Sequence, residues 1–429
     1  MDVSAGMLTD RYELTMLGSW VNDGQVHHRS VFEAFARRLP EGRRYGVLAG
    51  LGRLLDLIAE FRFTEDEIAW LGEQGVVDQA TAAYLRDFRF TGDIDAYPEG
   101  DLYFPGSPIL TVTGTLGECI VLETLVLSVL NHDTAIASAA ARMVTAARGR
   151  PLVEMGSRRT HEEAAVAAAR AAYLAGFATT SNLAAGRRYG IPTVGTAAHA
   201  FTLAHESEEA AFRSQVEAQG TDTTLLVDTY DIAEGIRTAI KVAGPELGAV
   251  RIDSGDLAEE SRKARALLDE LGATKTRIIV TSDLDEFVIT ALQDAPIDGY
   301  GVGTRLVTGS GHPTSSMVYK LVAVADRPGD DAPLRPVAKK SAAKVTVGGR
   351  KSVHRTYTDG VLTDETFTVD DSESNVQVAA VRGGEVVHRP TLEEIREHAA
   401  RALSTLPPEA LDVAAGAPYL TARPQGEQA

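Results

Sequence analysis

Between residues 150 and 305 short apolar runs alternate with polar, helix-compatible stretches. The runs are PLVEM at 151–155, FATTS at 177–181, PTVGT at 192–196, TLLVDTY at 224–230, AVRID at 249–253, RIIVTSD at 277–283 and YGVGT at 300–304. Between them lie segments such as HEEAAVAAARAAYLAG, IAEGIRTAIKVAG and LAEESRKARALLDELG, which are rich in good helix formers. Seven β pieces, each followed by a helical segment, predict serial βα units and a parallel sheet. No Rossmann glycine fingerprint follows the first piece. Because the series also runs to seven, a closed or nearly closed TIM-like barrel is favoured over an open doubly wound sheet.

The flanks follow a different pattern. The first hundred residues mix helical runs with short strand-like pieces, punctuated by turn signals at Pro40-Glu41-Gly42, Pro98-Glu99-Gly100 and Pro105-Gly106, and read as an α+β unit. Glu118 to Arg148 is apolar, Ala-rich and free of proline, which predicts one or two buried helices. Beyond Pro313 the helical pattern fades. DRPGDDAPLRP at 326–336 reads as a loop, and the following VAKKSAAKVTVGGRKSVHRTYTDG carries alternating strands around a Gly-Gly turn. These strands are expected to join the N-terminal unit in one discontinuous domain. The tail from Leu403 reads as a surface extension, flexible at its end.

Composition narrows the function classes. The 429 residues carry 42 Lys and Arg against 60 Asp and Glu, a formal charge of −18, with 44% hydrophobic residues and one cysteine, Cys119. A lone cysteine closes no intrachain disulfide and supplies no multi-cysteine metal site, so a reducing, cytoplasmic setting is expected. The opening MDVSAGMLTDRYEL lacks a basic flank and apolar core, and no run offers the roughly 18 consecutive apolar residues of a membrane helix. No membrane association is expected. The acidic balance also argues against nucleic acid, so an anionic ligand must be small and held by a few placed cations.

In a βα barrel the C-terminal strand ends face the active site. Here those ends carry Glu154, Arg158 and Arg159; Thr179 and Ser181; Thr196 and His199; Asp228 and Asp231; Arg251, Asp253 and Asp256; Ser282 and Asp283; and Gly301, Gly303 and Thr304. Such a set suits a charged, hydroxylated ligand, although Asp, Ser and Thr after a strand also serve as helix N-caps. RIDSGDL at 251–257 combines a cation with two carboxylates: arginine grips phosphate or carboxylate, and acids hold ribose hydroxyls or magnesium. The glycines of GVGT at 301–304 can turn backbone N–H groups onto a phosphate, with Thr304 as a further donor. EMGSRR at 154–159 sets two arginines before a helix, and GTAAHAF at 195–201 surrounds His199 with small residues. His199 is a candidate acid, base or nucleophile. His132 and His205 lack metal-ligand spacing, and no HExxH, P-loop or GxSxG motif occurs.

The ordered set LTDRYELTM (8–16), FEAFARRLPEGRRYGVLAGL (32–51), EMGSRR, GTAAHAF, VDTYD, RIDSGDL and GVGTRLVT resembles the nicotinate phosphoribosyltransferases, from Leu8 to about Arg355. The resemblance implies an α/β fold in which an irregular βα barrel at 121–325 joins an α/β sandwich built from both chain ends, 1–120 and 326–429. It also implies a homodimer with shared active sites, to which the N-terminal segment contributes. The implied reaction turns nicotinate and 5-phosphoribosyl 1-pyrophosphate into nicotinate mononucleotide and pyrophosphate, with magnesium and with ATP as co-substrate. The phosphorylated histidine falls on His199, with Arg251 and Asp253 in the catalytic set. Nicotinate contacts fall on Tyr12, donated by the partner subunit to stack on the ring, and on Met155, Arg158, Ser181, Thr196 and Arg251. Contacts to the phosphoribosyl donor fall on Asp228, Asp283, Gly303 and Thr304, and the magnesium candidates are Asp253 and Asp256.

Two positions carry specificity. Relatives commonly stack Phe on the ring where this chain has Met155, a thioether contact that is weaker but workable. Nicotinamide-preferring relatives place an Asp where this chain has Ser181, and serine does not repel the carboxylate of nicotinate. The competing readings are a sugar-phosphate aldolase or isomerase, which often needs a strand lysine that the seven runs lack, and quinolinate phosphoribosyltransferase, which needs more cations and no ATP. A non-enzymatic regulator that kept the fold is opposed by the intact Tyr12, His199, Arg251 and Thr304.

Overall fold

The computed structural model describes residues 3–329, 331–341, 344–345, 347–369 and 373–427. The chain divides into two compact units, one formed by Met1–Ala135 with Thr314–Ala429 and the other by Ile136–Pro313.

The first unit is organised by an antiparallel sheet of seven strands among the described residues. Their order is Leu334–Pro336, Met317–Pro328, His28–Ala36, Pro108–Thr115, Asp93–Ala96, Val378–Arg382 and Glu385–Val386. His28–Ala36 lies inside this sheet and is buried over its last seven residues. Its neighbours come from opposite ends of the chain: Phe32 stands opposite Val112 on one side and Leu321 on the other. Phe32 also stacks on Tyr319, ring centroids 5.0 Å apart. The strands expected after residue 337 form as Lys340–Ser341, Lys344–Val345, Ser352–Thr358 and Val361–Thr368. Part of the expected 326–336 loop is strand instead, because Met317–Pro328 extends its pairing and Leu334–Pro336 adds to its edge. Downstream of Leu403, Leu406, Ala410 and Ala422 are buried, and Arg423–Pro424 pairs in parallel with Thr366 and Phe367. Residues 428 and 429 lie outside the described set.

Buried charges lock the C-terminal strands to the N-terminal ones. Lys351 donates to both carboxylate oxygens of Glu33, at 2.9 and 2.8 Å. Arg355 donates to Glu365 at 2.7 Å and to Asp101 at 2.6 Å. Breaking such a buried pair from one side leaves an uncompensated charge, so these contacts fix which strands belong together.

In the second unit we number the strands β1 (Leu152–Glu154), β2 (Thr179–Thr180), β3 (Thr224–Leu226), β4 (Ala249–Ile252), β5 (Arg277–Ser282) and β6 (Gly299–Val302). They form one parallel sheet in the order β2-β1-β6-β5-β4-β3. β1 therefore pairs with both its successor and the last strand, which is the wrap of a barrel and not of a doubly wound sheet. The third of the seven apolar runs, PTVGT, does not form a strand. It makes a single bridge, Thr180 to Thr193, fixed by Thr180 N to Pro192 O at 3.1 Å and Val194 N to Thr180 O at 3.0 Å. Proline has no N–H and glycine orders poorly in a strand, so Pro192 and Gly195 limit the ladder to this bridge. The sheet is consequently curled and open between this run and β3.

Helices follow the strands as expected, and their caps account for many polar strand ends. Asn182, Ser207, Asp231, Asp256 and Asp285 each accept from backbone N–H groups in the first turn of the following helix. The apolar stretch near Glu118 becomes the helices Leu116–Ile120 and Glu123–Ala147. By length and mean hydropathy, 1.4, Leu116–Ala147 would pass for a membrane span, and 67% of its most apolar window is buried inside the protein.

Candidate active site

A cleft of about 520 Å³ opens at the C-terminal ends of the strands in the second unit. Met155, Arg158, Arg159, Ser181, Thr196, Arg251, Asp253, Ser282, Asp283, Gly301, Gly303 and Thr304 all line it, so twelve of the residues singled out from the sequence share one cleft. The parallel strands explain the convergence, since every one of them ends on the same side.

Arg251, on β4, is the most constrained cation. Its Nη1 donates to Thr196 Oγ1 and, at 3.3 Å, to the carbonyl of Ala197. Its Nε is buried and has no hydrogen-bond partner. Burial pushes its pKa down and the nearby Arg158 adds to this, while Asp253 and Asp228 oppose it. A guanidinium starts so high that it stays charged, and a buried donor without an acceptor favours an anionic ligand. Arg158 and Arg159 are exposed at the cleft wall, and neither side chain makes an ion pair among the described residues.

The acids divide into distinct jobs. Asp228 is only 9% exposed; its Oδ2 accepts from the N–H of Asp253 at 2.9 Å and from Ser254 Oγ at 2.7 Å. Its Oδ1 is buried without a partner. Asp253 accepts from Thr281 Oγ1 and faces the cleft. Asp256 uses Oδ1 to cap Ala258 and Glu259, at 3.1 and 3.0 Å, and does not line the cleft. Among the described residues no group of three or more His, Cys, Asp or Glu side chains is arranged to hold a metal by itself. Glu154 lies beneath the floor, accepting from Thr180 Oγ1 at 2.5 Å and from the N–H of Gly156. Burial pushes its pKa up, and those two bonds oppose the shift.

Close packing shapes the floor beside Met155. A Cβ on Gly301 would stand 2.5 Å from Thr281 Cγ2 and 2.8 Å from Met155 Sδ, so glycine is required there. Ser282, at the end of β5, has φ 154°, a region that non-glycine residues rarely enter. Gly303 precedes the short helix Thr304–Val307 and accepts from the N–H groups of Leu306 and Val307.

His199 begins the helix His199–Leu203, directly after the cleft-lining residues Gly195–Ala198. Its Nδ1 lies 3.2 Å from Thr229 Oγ1. Thr229 was not singled out from the sequence, although it sits inside the quoted VDTYD; a hydroxyl next to an aspartate carries no signal of its own. Ser254, after Asp253, is silent for the same reason, and Thr281 is one more β-branched residue in an apolar run.

Tyr12 belongs to the first unit, on the helix Arg11–Asp23, and is 46% exposed. Burial of its phenol, the charge of Glu123 and a hydrogen bond to Glu123 push its pKa up. Beside it Glu13 is fully buried, accepting from Thr124 N at 3.0 Å, Thr124 Oγ1 and Thr9 Oγ1. Burial pushes the Glu13 pKa up to about 7.

Comparisons with known proteins show which family the chain resembles. Residues 7–131 match the family model of the nicotinate phosphoribosyltransferase (NAPRTase) N-terminal domain, and residues 151–370 that of the nicotinate phosphoribosyltransferase (NAPRTase) family. The chain is 55% identical to nicotinate phosphoribosyltransferase pncB1 of Mycobacterium tuberculosis, over 98% of this chain and 95% of the relative. It is 40% identical to the nicotinate phosphoribosyltransferase of Bacillus subtilis, over 82% and 74% of the two chains. Among solved structures, human nicotinic acid phosphoribosyltransferase superposes with a TM-score of 0.81 at 24% identity, covering 96% of this chain and 97% of that one. With strand ends, cleft and sequence in accord, the chain belongs to the nicotinate phosphoribosyltransferase family.

Proposed function

We propose that this chain is an enzyme of NAD salvage, joining nicotinate to 5-phosphoribosyl 1-pyrophosphate to give nicotinate mononucleotide and pyrophosphate. ATP hydrolysis is coupled through a phosphohistidine at His199. The observation that carries the reading is the cationic lining of the cleft: a buried Arg251 Nε without an acceptor, beside Arg158 and Arg159, which make no ion pair among the described residues.

The nicotinate carboxylate docks on Arg251 with Thr196 beside it, and the pyridine ring lies against Met155 with Arg158 and Ser181 at its edge. Tyr12 comes from the second subunit of a homodimer and closes the other face of the ring. Gly303 and Thr304 take the 5-phosphate, and Asp228 and Asp283 complete the seat of the donor. The pyridine nitrogen attacks ribose C1 as the C1–O bond to pyrophosphate breaks, and the electron pair of that bond leaves with pyrophosphate. Positive charge gathers on the sugar in the transition state, so Asp253 acts by placed charge and not by proton transfer.

The donor set suits magnesium brought in with the phosphates, since that ion commonly takes one or two carboxylates and leaves the rest of its shell to substrate and water. Asp253, which faces the cleft, would hold it; the Asp256 Oδ1 is already engaged as a helix cap. The ion would neutralise the leaving pyrophosphate. At His199 an unprotonated ring nitrogen attacks the γ-phosphorus of ATP: the P–O bond to ADP breaks and a P–N bond forms. Water later cleaves that P–N bond, releasing phosphate and the free imidazole. The cytoplasm is the working compartment, and the unit Ile136–Pro313 carries the chemistry.

A pyrophosphate-release assay with nicotinate, nicotinamide and quinolinate, each with and without ATP, tests this. Nicotinate is expected to be the preferred substrate and ATP to raise its turnover. Faster turnover of nicotinamide would refute the role given to Ser181, and ATP-independent turnover of quinolinate would refute the assignment itself.

A further inference from the structure

We propose that Thr229 is a positioning residue for the phosphoryl-accepting His199, an inference that rests on the role given to His199 above. The residues next to His199 in sequence, Ala197, Ala198 and Ala200, offer no side-chain polar group to orient its ring. Among the described residues no carboxylate lies within ion-pair distance of the imidazole, and the polar contact it does make is Nδ1 to Thr229 Oγ1 at 3.2 Å. A histidine that accepts a phosphoryl group must hold one ring orientation against the incoming phosphorus, and without a carboxylate that task falls to the hydroxyl. A hydroxyl both donates and accepts, so it keeps its hold on Nδ1 whether or not that atom carries the proton.

Thr229 is itself held in place. Val227 N donates to the carbonyl of Arg251 at 3.2 Å, and the Asp228 carboxylate accepts from Asp253 N and Ser254 Oγ. The backbone that presents Thr229 is thereby pinned to the turn after β4. The orientation of His199 is consequently referred to the same turn that carries Asp253, so the phosphoryl-accepting ring and the cleft acid share one scaffold.

The test compares Thr229→Val, which keeps the shape and removes the hydroxyl, with Thr229→Ser, which restores it. The readouts are labelled phosphate on His199 per folded subunit, supplied as γ-labelled ATP, and the ratio of turnover with ATP to turnover without it. Loss of one hydrogen bond to the reacting ring is expected to lower both about tenfold in Thr229→Val, and Thr229→Ser should recover them. Thr229→Ala serves as the second hydroxyl-free variant should the valine disturb folding. A merely structural role lowers both turnover rates together and leaves their ratio at the wild-type value, which overturns the proposal. If the wild-type protein itself takes no phosphate on His199, the role of His199 is what fails, and Thr229 falls with it.

Discussion

Arg251 lines the cleft with its guanidinium partly held by the protein. Nη1 is held by Thr196 and Ala197, whereas Nε is buried with no acceptor of its own. Lysine keeps the charge and loses the planar fork, so Arg251→Lys should lower kcat/KM for nicotinate by about 100-fold, the scale of a lost charge-assisted contact. Steady-state kinetics with each substrate varied in turn checks this; a loss shared equally with the phosphoribosyl donor would place Arg251 elsewhere in the reaction. Glu13 yields a second prediction at this scale. Its folded-state pKa is raised to about 7, so the folded protein holds that proton more tightly than the unfolded chain does. The contribution is fully present below the ordinary carboxyl pKa and is lost as pH rises through about 7. Thermal melts from about pH 5 to 8.5 should show wild-type stability falling across that window more steeply than in Glu13→Gln, and parallel curves would remove Glu13 as the cause.

At the scale of elements, the floor beside Met155 is set by Gly301. Gly301→Ala would push a methyl into Thr281 and the Met155 sulfur, at a cost of about 1–3 kcal/mol, and would displace the thioether from the seat proposed for the ring. A lower melting temperature together with a raised KM for nicotinate is expected; a lower melting temperature with KM unchanged would take Met155 off the ring. The strands themselves were legible because six apolar runs sit where strands form, each a little longer than its ladder. PTVGT looks like the others and fails as a strand because its Pro192 and Gly195 cannot continue the pairing, which periodicity does not weigh. The division of the acids was less readable. Asp256 and Asp253 lie three residues apart after one strand, and only the fold shows that the first caps a helix while the second faces the cleft. Tyr12 was reachable through resemblance alone, since a tyrosine on an amphipathic N-terminal helix announces no ligand.

At the scale of the whole molecule, a site shared between subunits can be tested without any structure of the pair. Tyr12→Ala and Arg251→Ala are each expected to disable every site of the proposed homodimer. If the site takes Tyr12 from one subunit and Arg251 from the other, a mixed dimer contains one site free of both changes. Unfolding and refolding the two inactive proteins together at equal amounts should recover about a quarter of wild-type activity, as random pairing into two-fold dimers requires. No recovery, with mixed dimers verified by differential tagging, would place both residues in a site made by one chain.

The central sheet of the first unit also sets an order of events at the ribosome. His28–Ala36 pairs with Pro108–Thr115, which is made early, and with Met317–Pro328, which is made some 280 residues after it. At the usual pace of synthesis that second edge stays without its partner for about 15–60 s while the whole parallel sheet is produced. An apolar strand with an open edge is a site for wrong pairing, so the nascent chain must be shielded there by its own early helices or by a chaperone. Slowing translation between residues 115 and 317 is therefore expected to reduce soluble yield, whereas the same delay placed after residue 336 should not.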